Sequence, residues 1–292
     1  MADRVVAVFP RGGGFLVRAA ETTALAEEAR RRHNLSPTAT AALGRALTGA
    51  ALLGSLGKGE ASVLLQWRGD GPLGAVVAEG RADLAVRGYV QNPQADLPSR
   101  DGKLDVGGGV GKGELVVVRD LGLKEPYVST APIQTGEVAE DLAYYLLTSE
   151  QIPSAVALGV YVAPDYRVGA AGGVLVEALP DATDRDLDRL VENFSRLGGV
   201  TELLREGGLD AVLDRALAGL EYEVEELGTP EFRCRCNEER LDATLAALGP
   251  DEARRLLEEK GEIRVTCSFC GTEWIRRSLD GPWARASGRG GS

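Results

Sequence analysis

Histidine is almost absent from this sequence, and His33 is the only one in 292 residues. A His-rich metal site and an HExxH metalloprotease motif are therefore excluded, and a Ser–His–Asp triad would have to use His33. That residue lies in the charged run "EEARRRHNLSP" at an expected helix end, where a cation is favourable beside the helix dipole, and it reads as a solvated helix-end residue. Basic residues are outnumbered, 33 against 44 acidic, leaving a net charge of −11. That sign opposes general nucleic-acid affinity, which rests on neutralising phosphates. No apolar run approaches the roughly 18 residues of a membrane span, and the start "MADRVVAVFP" lacks a signal-peptide layout. A cytoplasmic, soluble protein with no membrane partner is expected. Aromatic residues are sparse at 5%. Cysteine is confined to four positions, Cys234, Cys236, Cys267 and Cys270.

Two apparent signals fail. "VGGGVGKGEL" (106–115) resembles a phosphate loop, but Val106 and Gly113 stand where a Walker motif needs Gly and Ser or Thr. It reads as a flexible hairpin loop ahead of the strand "LVVVRD". Asp70, Glu79 and Asp141 show no spacing that marks an acid–base pair, so no catalytic residue is assigned and enzymatic activity is not expected.

Residues 1–180 read as an α+β domain, because strands and helices are mixed rather than alternating. "RVVAVFPRGGGFLVRAA" predicts two strands joined by a glycine turn at 12–14. "TTALAEEARRRHNL" predicts a helix capped by Thr22 or Thr23. "SPTATAALGRALTGAALLGSLG" predicts a second helix, with Ser36 as cap and Pro37 in the first turn. Strands are expected over 62–67, 74–80, 84–90 and 115–120. A helix is expected from Thr135 to about Glu150, and "AVALGVYVA" and "RVGAAGGVLVEAL" form a strand pair. Residues 181–228 read as an acidic, amphipathic helical linker. Leu187, Leu190, Val191, Phe194 and Leu197 share one helical face, and Leu203 and Leu204 continue the apolar pattern. Residues 183–226 carry 12 acidic and 5 basic side chains. Gly207 and Gly208 interrupt this stretch at about 1 kcal/mol each relative to Ala, so its helices need tertiary support. A zinc module is expected over 229–280, and a disordered tail over 281–292.

The cysteines follow the pattern C-x-C, thirty residues, C-x-x-C. Four thiolates supply the ligand number of a tetrahedral structural zinc, and "CSFCG" has the shape of a zinc knuckle. "GEIRVTC" and "TEWIRR" predict a hairpin with the knuckle at its tip, preceded by two short helices in "NEERLDATLAALG" and "PDEARRLLEEKG". A module of this size has little core of its own, and structural zinc contributes on the order of 10–16 kcal/mol of apparent binding energy in small peptides. Spacing alone leaves two roles open, a purely structural zinc and a redox switch in which oxidised sulfur no longer holds the metal.

The cysteine frame with "CSFCGTEW" resembles the zinc centre of the 33 kDa heat-shock protein family, redox-regulated holdase chaperones of bacteria. "GDGPLGAVVAEG…VRGYVQNP", "PYVSTAPIQTGEVAEDLAYYLLTSEQIPSAVALGV" and "AGGVLVEALPDA" are similar to family segments in the same order, so the resemblance spans all but the tail. It implies an N-terminal domain, a helical linker and a C-terminal zinc domain. It implies one zinc per chain on Cys234, Cys236, Cys267 and Cys270 in an inactive reduced state. It further implies that oxidation joins Cys234 to Cys236 and Cys267 to Cys270, releases zinc and unfolds the C-terminal region. The active form would dimerise and hold unfolding client proteins without ATP. The linker face of Leu187, Leu190, Val191, Phe194, Leu197, Leu203 and Leu204 is the candidate client surface.

Two other readings follow from the cysteines alone. A nucleic-acid-binding zinc ribbon is disfavoured because residues 229–277 hold 10 acidic and 9 basic side chains. A thiol–disulfide oxidoreductase would place its CxxC at a helix N-terminus, whereas here a strand precedes it.

Overall fold

The computed structural model describes residues 2–11 and 14–278. Glycines 12 and 13 of the expected first turn, and the tail expected to be disordered, lie outside the described residues. The chain divides into two units, the first ending at Arg233 and the second beginning at Cys234.

The first unit runs β1 (Arg4–Pro10), β2 (Phe15–Glu21), α1 (Thr23–His33), α2 (Pro37–Gly54), β3 (Ser62–Gly69), β4 (Ala75–Arg81), β5 (Ala85–Val90) and α3 (Val106–Val110). It continues with β6 (Gly113–Asp120), β7 (Tyr127–Pro132), α4 (Ala139–Thr148), β8 (Ser154–Val162), β9 (Val168–Ala178), α5 (Asp184–Ser195), α6 (Val200–Ala216), β10 (Tyr222–Gly228) and β11 (Glu231–Phe232). The second unit holds α7 (Glu238–Leu248), α8 (Pro250–Lys260), β12 (Ile263–Thr266) and β13 (Glu273–Arg276). The mixed α+β character expected from the sequence is the observed one.

Two sheets build the first unit, in the orders β10-β1-β2-β9-β8 and β11-β5-β4-β3-β6-β7. All neighbours are antiparallel except β11, which lies parallel to β5. Helix α2 packs against strands of both sheets. Its small residues permit this: a Cβ on Gly80 of β4 would stand 1.9 Å from the Ala50 carbonyl oxygen. The Ser36 side chain accepts the Ala39 amide, and Pro37 opens the helix, as the sequence predicts. Thr22 precedes α1 without a side-chain cap, its hydroxyl instead meeting Thr48 at 2.6 Å.

The face of the first sheet turned from α2 is lined by Val6, Val8, Val17, Ala19, Val174 and Val176, and it packs against α5 and α6. Thr183 and Asp186 form a reciprocal capping box at the start of α5. Gly208 breaks the helical path of α6 with φ 68°, the interruption expected from the glycine pair.

Several local expectations are corrected. Residues 222–228, expected within a helical linker, form strand β10 on the edge of β1. The free ladder of β1 supplies backbone partners that glutamate-rich chain cannot supply alone, and Arg11 pairs with Glu221 and Glu223. The loop expected over 106–115 contains the single-turn helix α3, because the Asp105 carboxylate accepts the Gly108 amide at 2.8 Å. Helix α4 starts at Ala139 rather than Thr135. The Asp141 carboxylate draws the amides of Gln134, Thr135 and Gly136 into a turn first. Strand β7 has no counterpart among the expected elements; it pairs with β6 along 114–119. His33 ends α1 as expected but is half-buried, its ring 6.2 Å from that of Phe232.

Candidate metal and redox centre

The segment before the first cysteine is fixed to the edge of the second sheet. The Glu231 and Arg233 amides donate to the carbonyls of Leu84 and Val86 at 3.0 and 2.9 Å. Phe232 packs on the main core, with the Arg32 guanidinium 5.0 Å above its ring. Arg233 reaches Asp83 at 3.0 Å.

Within the second unit, local chemistry places the cysteines. Asn237 caps α7 by accepting the Arg240 amide at 2.9 Å. Gly261 closes α8 in the left-handed region. Strands β12 and β13 then pair in register from Ile263 opposite Arg276 to Thr266 opposite Glu273. "CSFCG" forms the tip of this hairpin, as predicted. The Cys267 carbonyl accepts the Gly271 amide at 2.8 Å, and the Cys267 amide donates to the Thr272 carbonyl at 3.0 Å. Gly271 takes φ 72°, a conformation that favours glycine. The amides of Phe269 and Cys270 are directed at the Cys267 sulfur. The CxxC therefore sits at a hairpin tip, without the helix N-terminus that activates an oxidoreductase thiol.

The four Sγ atoms lie within 4.8 Å of one another. Cys234 approaches Cys267 at 3.7 Å, and Cys236 approaches Cys270 at 3.3 Å. Four sulfurs each about 2.3 Å from a tetrahedral zinc would be about 3.8 Å apart, so the cluster fits such an ion with little adjustment. All four cysteines are free thiols. Burial, with hydrogen bonds from the neighbouring sulfurs, pushes the Cys236 thiol up to about 12, and burial also raises Cys267. Burial opposes ionisation of Cys270 too, but the Thr272 hydroxyl, 3.2 Å away, with the Thr272 amide and the Cys236 sulfur, outweighs it and lowers that thiol to about 7. Thr272 carries no signal in the sequence beyond standing next to the knuckle.

The core behind the cluster is small. Leu241, Leu245, Ala253 and Ile263 are its buried apolar residues, with Trp274, Val265 and parts of both helices around them. So few buried side chains offset little of the conformational entropy of an ordered module, and four thiolates held close together would repel without a cation.

The candidate client residues are mostly sheltered. Leu190, Leu197 and Leu204 are buried against the first sheet, and Leu187, Phe194 and Leu203 are half-buried beside them. Val191 differs, with 70% of its surface exposed. The carboxylates set aside in the sequence are separate structural groups. Asp70 accepts the Lys112 amide, Glu79 pairs with Arg87, and Asp141 accepts the Trp67 indole N–H at 3.1 Å.

Comparison with known proteins places this arrangement. The family model described as Hsp33 protein matches residues 3–275. The chain belongs to the Hsp33 family. A 33 kDa chaperonin of Geobacter sulfurreducens is 46% identical over 276 residues, covering 94% of this chain and 92% of that protein. One from Thermus thermophilus is 49% identical over 271 residues, covering 89% and 80%. The crystal structure of the 33 kDa chaperonin from Thermotoga maritima superposes with a TM-score of 0.88 at 37% identity and covers 94% of both chains. These Hsp33 relatives are named as chaperonins rather than enzymes. No helix among the described residues is long and apolar enough to cross a membrane.

Proposed function

We infer that this chain is a redox-regulated, ATP-independent holdase of the cytoplasm that binds unfolding proteins under oxidative stress. The observation that carries the reading is the cluster of four thiols in a module with almost no core, in a chain whose amphipathic linker is sheltered on a sheet. In the reduced protein Cys234, Cys236, Cys267 and Cys270 would hold one zinc ion per chain, which when bound supplies charge neutralisation and a crosslink for the module. Each cysteine pair, as two thiolates, gives up two electrons to hydrogen peroxide, which takes two protons from solvent and leaves as two waters while one S–S bond forms. Following the family resemblance, the pairs are Cys234 with Cys236 and Cys267 with Cys270.

A disulfide sulfur is a poor metal ligand, so oxidation removes the support of the small module. The linker then loosens, and Leu187, Leu190, Phe194, Leu197, Leu203 and Leu204 join the already exposed Val191 as a client surface. Acidic side chains beside that face keep the complex soluble. The activated form is a homodimer, no nucleic acid is bound, and no catalytic residue is assigned.

The test measures zinc content, free thiols and suppression of client aggregation on one sample before and after peroxide with mild heat. Reduced protein should hold one zinc and suppress poorly. Oxidised, zinc-free protein that still fails to hold a thermally unfolding client refutes the reading.

A further inference from the structure

The Cys267 and Cys270 sulfurs are met by different kinds of donor. The amides of Phe269 and Cys270 are directed at Cys267, and both follow from the turn of the knuckle. At Cys270 the Thr272 amide is joined by a side chain, the Thr272 hydroxyl, 3.2 Å from the sulfur. A thiolate has no proton to give, so toward an ionised Cys270 that hydroxyl is the donor. The contacts reaching Cys236 come from the Cys270 and Cys234 sulfurs, the first at 3.3 Å. Cys270 is also the most sheltered of the four, at 6% exposed, while the other three are half-buried.

Packing does not account for the side chain of Thr272. The residue is exposed and stands outside the small core of Leu241, Leu245, Ala253 and Ile263. Its carbonyl accepts the Cys267 amide, but any residue would supply that carbonyl. What threonine adds is the hydroxyl beside Cys270. We propose that Thr272 is a positioning residue of the redox centre, whose hydroxyl engages the Cys270 sulfur and so slows closure of the Cys267–Cys270 disulfide by peroxide.

The chemistry of that disulfide draws on Cys270 in either order of events. One thiolate of the pair attacks a peroxide oxygen. An S–O bond forms, the O–O bond breaks, and the departing hydroxide takes a proton from solvent. The other thiolate then attacks the oxidised sulfur. The S–S bond forms, the S–O bond breaks, and a second hydroxide takes a second proton. Two electrons have passed from the sulfurs to the peroxide, which ends as two waters. Cys270 therefore donates an electron pair once, to the peroxide or to the oxidised Cys267. A hydrogen bond that stabilises the charge of a thiolate also lowers its nucleophilicity. The same donor favours four thiolates held together around a cation, as partners behind metal ligands commonly do. The proposal rests on the redox-switch reading and deepens it, because it names a side chain that sets how much peroxide the reduced module withstands.

The experiment uses the full chain, reduced and zinc-loaded, with Thr272→Val and Thr272→Ser as variants. Valine keeps the branched shape and loses the hydroxyl, while serine keeps the hydroxyl. Less than one equivalent of hydrogen peroxide is added, remaining thiols are alkylated at early times, and the first disulfides are mapped by peptide mass. Thr272→Val is expected to close Cys267–Cys270 at least about fivefold faster, with the initial rate at Cys234–Cys236 unchanged and Thr272→Ser close to the unaltered chain. A hydroxyl that merely braced the knuckle would, once lost, quicken both pairs alike. The second readout is spectroscopic, on the same proteins loaded with cobalt(II) in place of zinc. A sulfur relieved of its hydrogen bond gives up charge more readily, so the sulfur-to-cobalt charge-transfer band should move to longer wavelength in Thr272→Val and return in Thr272→Ser. An unchanged Cys267–Cys270 rate, equal acceleration of both pairs, an unmoved band, or failure of serine to restore either property would overturn the proposal. Aggregation suppression by the fully oxidised unaltered chain is scored separately. Its absence removes the chaperone reading, and the disulfide rates and the band decide Thr272 in either case.

Discussion

Truncating Leu204 should activate the reduced protein without touching a cysteine. Leu204 is 3% exposed and packs in the core between α6 and the first sheet. Its Cδ1 lies 3.0 Å from where a Cβ on Gly172 would stand, so it rests on nearly bare β9 backbone. A buried Leu→Ala change costs about 2–5 kcal/mol, and a central value of about 3 kcal/mol shifts an equilibrium by about two orders of magnitude. Because α5 and α6 lie over one face of the sheet, most of that cost should fall on linker docking rather than on the core around α2. Val191→Ala serves as the control, since Val191 is 70% exposed and a surface change of this kind moves stability by less than about 0.5 kcal/mol. Hydrogen exchange over 184–217 and light scattering of a heat-unfolding client are measured on reduced, zinc-loaded protein. Leu204→Ala should raise exchange across both helices at least tenfold and suppress aggregation, while Val191→Ala should match the unaltered chain. If exchange rises and suppression does not, the sheltered face is not the client surface. If exchange does not rise, the docking argument itself is wrong.

Removing metal with a chelator under reducing conditions should abolish exchange protection in 234–278 and leave both sheets of the first unit protected, because the apolar core of the small module among the described residues is built on Leu241, Leu245, Ala253 and Ile263; retained protection in the module would show that its core suffices. Asp141→Ala leaves the buried Trp67 N–H and the amides of Gln134, Thr135 and Gly136 without their shared acceptor, and should cost at least about 3 kcal/mol, read as a lower urea midpoint. Burial raises the Glu177 carboxyl above its ordinary value, with Glu150 adding to the effect and Arg119 and Arg18 opposing it. The folded state therefore keeps this proton at pH values where the unfolded chain has lost it. The resulting penalty is absent below the ordinary carboxylate range and grows as pH rises through the raised value. Glu177→Gln should accordingly raise the melting temperature at neutral pH, by an amount that vanishes toward acid pH.

What could be read from the sequence was what neighbouring residues decide. The C-x-x-C-G knuckle, its hairpin, the Asn237 and Pro250 helix starts and the Gly208 break all follow from contacts a few positions apart. The apolar stripe of the linker was equally legible, but its partner was not. Val6, Val174 and Val176 alternate with residues buried on the opposite face, so nothing in their pattern marks one face as reserved for α5 and α6. Strand β10 escaped for the same reason. "YEVEELG" is too acidic to read as a strand until β1, more than two hundred residues earlier, offers it an edge. Phe232 lay in plain view beside Cys234, yet its anchoring depends on β5 and on the end of α1.

That anchoring defines the route by which the proposed switch acts. From Gly228 the chain leaves the edge of one sheet, and at Glu231 it joins the edge of the other, two residues of β11 before Arg233 and Cys234. The hold at β11 is slight. Two amide hydrogen bonds contribute about 1 kcal/mol each, and the exposed Arg233–Asp83 pair no more than about 1 kcal/mol. Strand β10 is held over a longer register but is crowded with glutamates, and the helices before it depend on docking. Interactions thus weaken toward the cysteines, from the two-sided core around α2, through the one-sided linker, to the two-residue strand. A module that loses its crosslink would free this sequence from its weakest end. The same gradient keeps the core around α2 outside the switch, so the part of the chain that must refold when the thiols are reduced again is the part held by the fewest contacts.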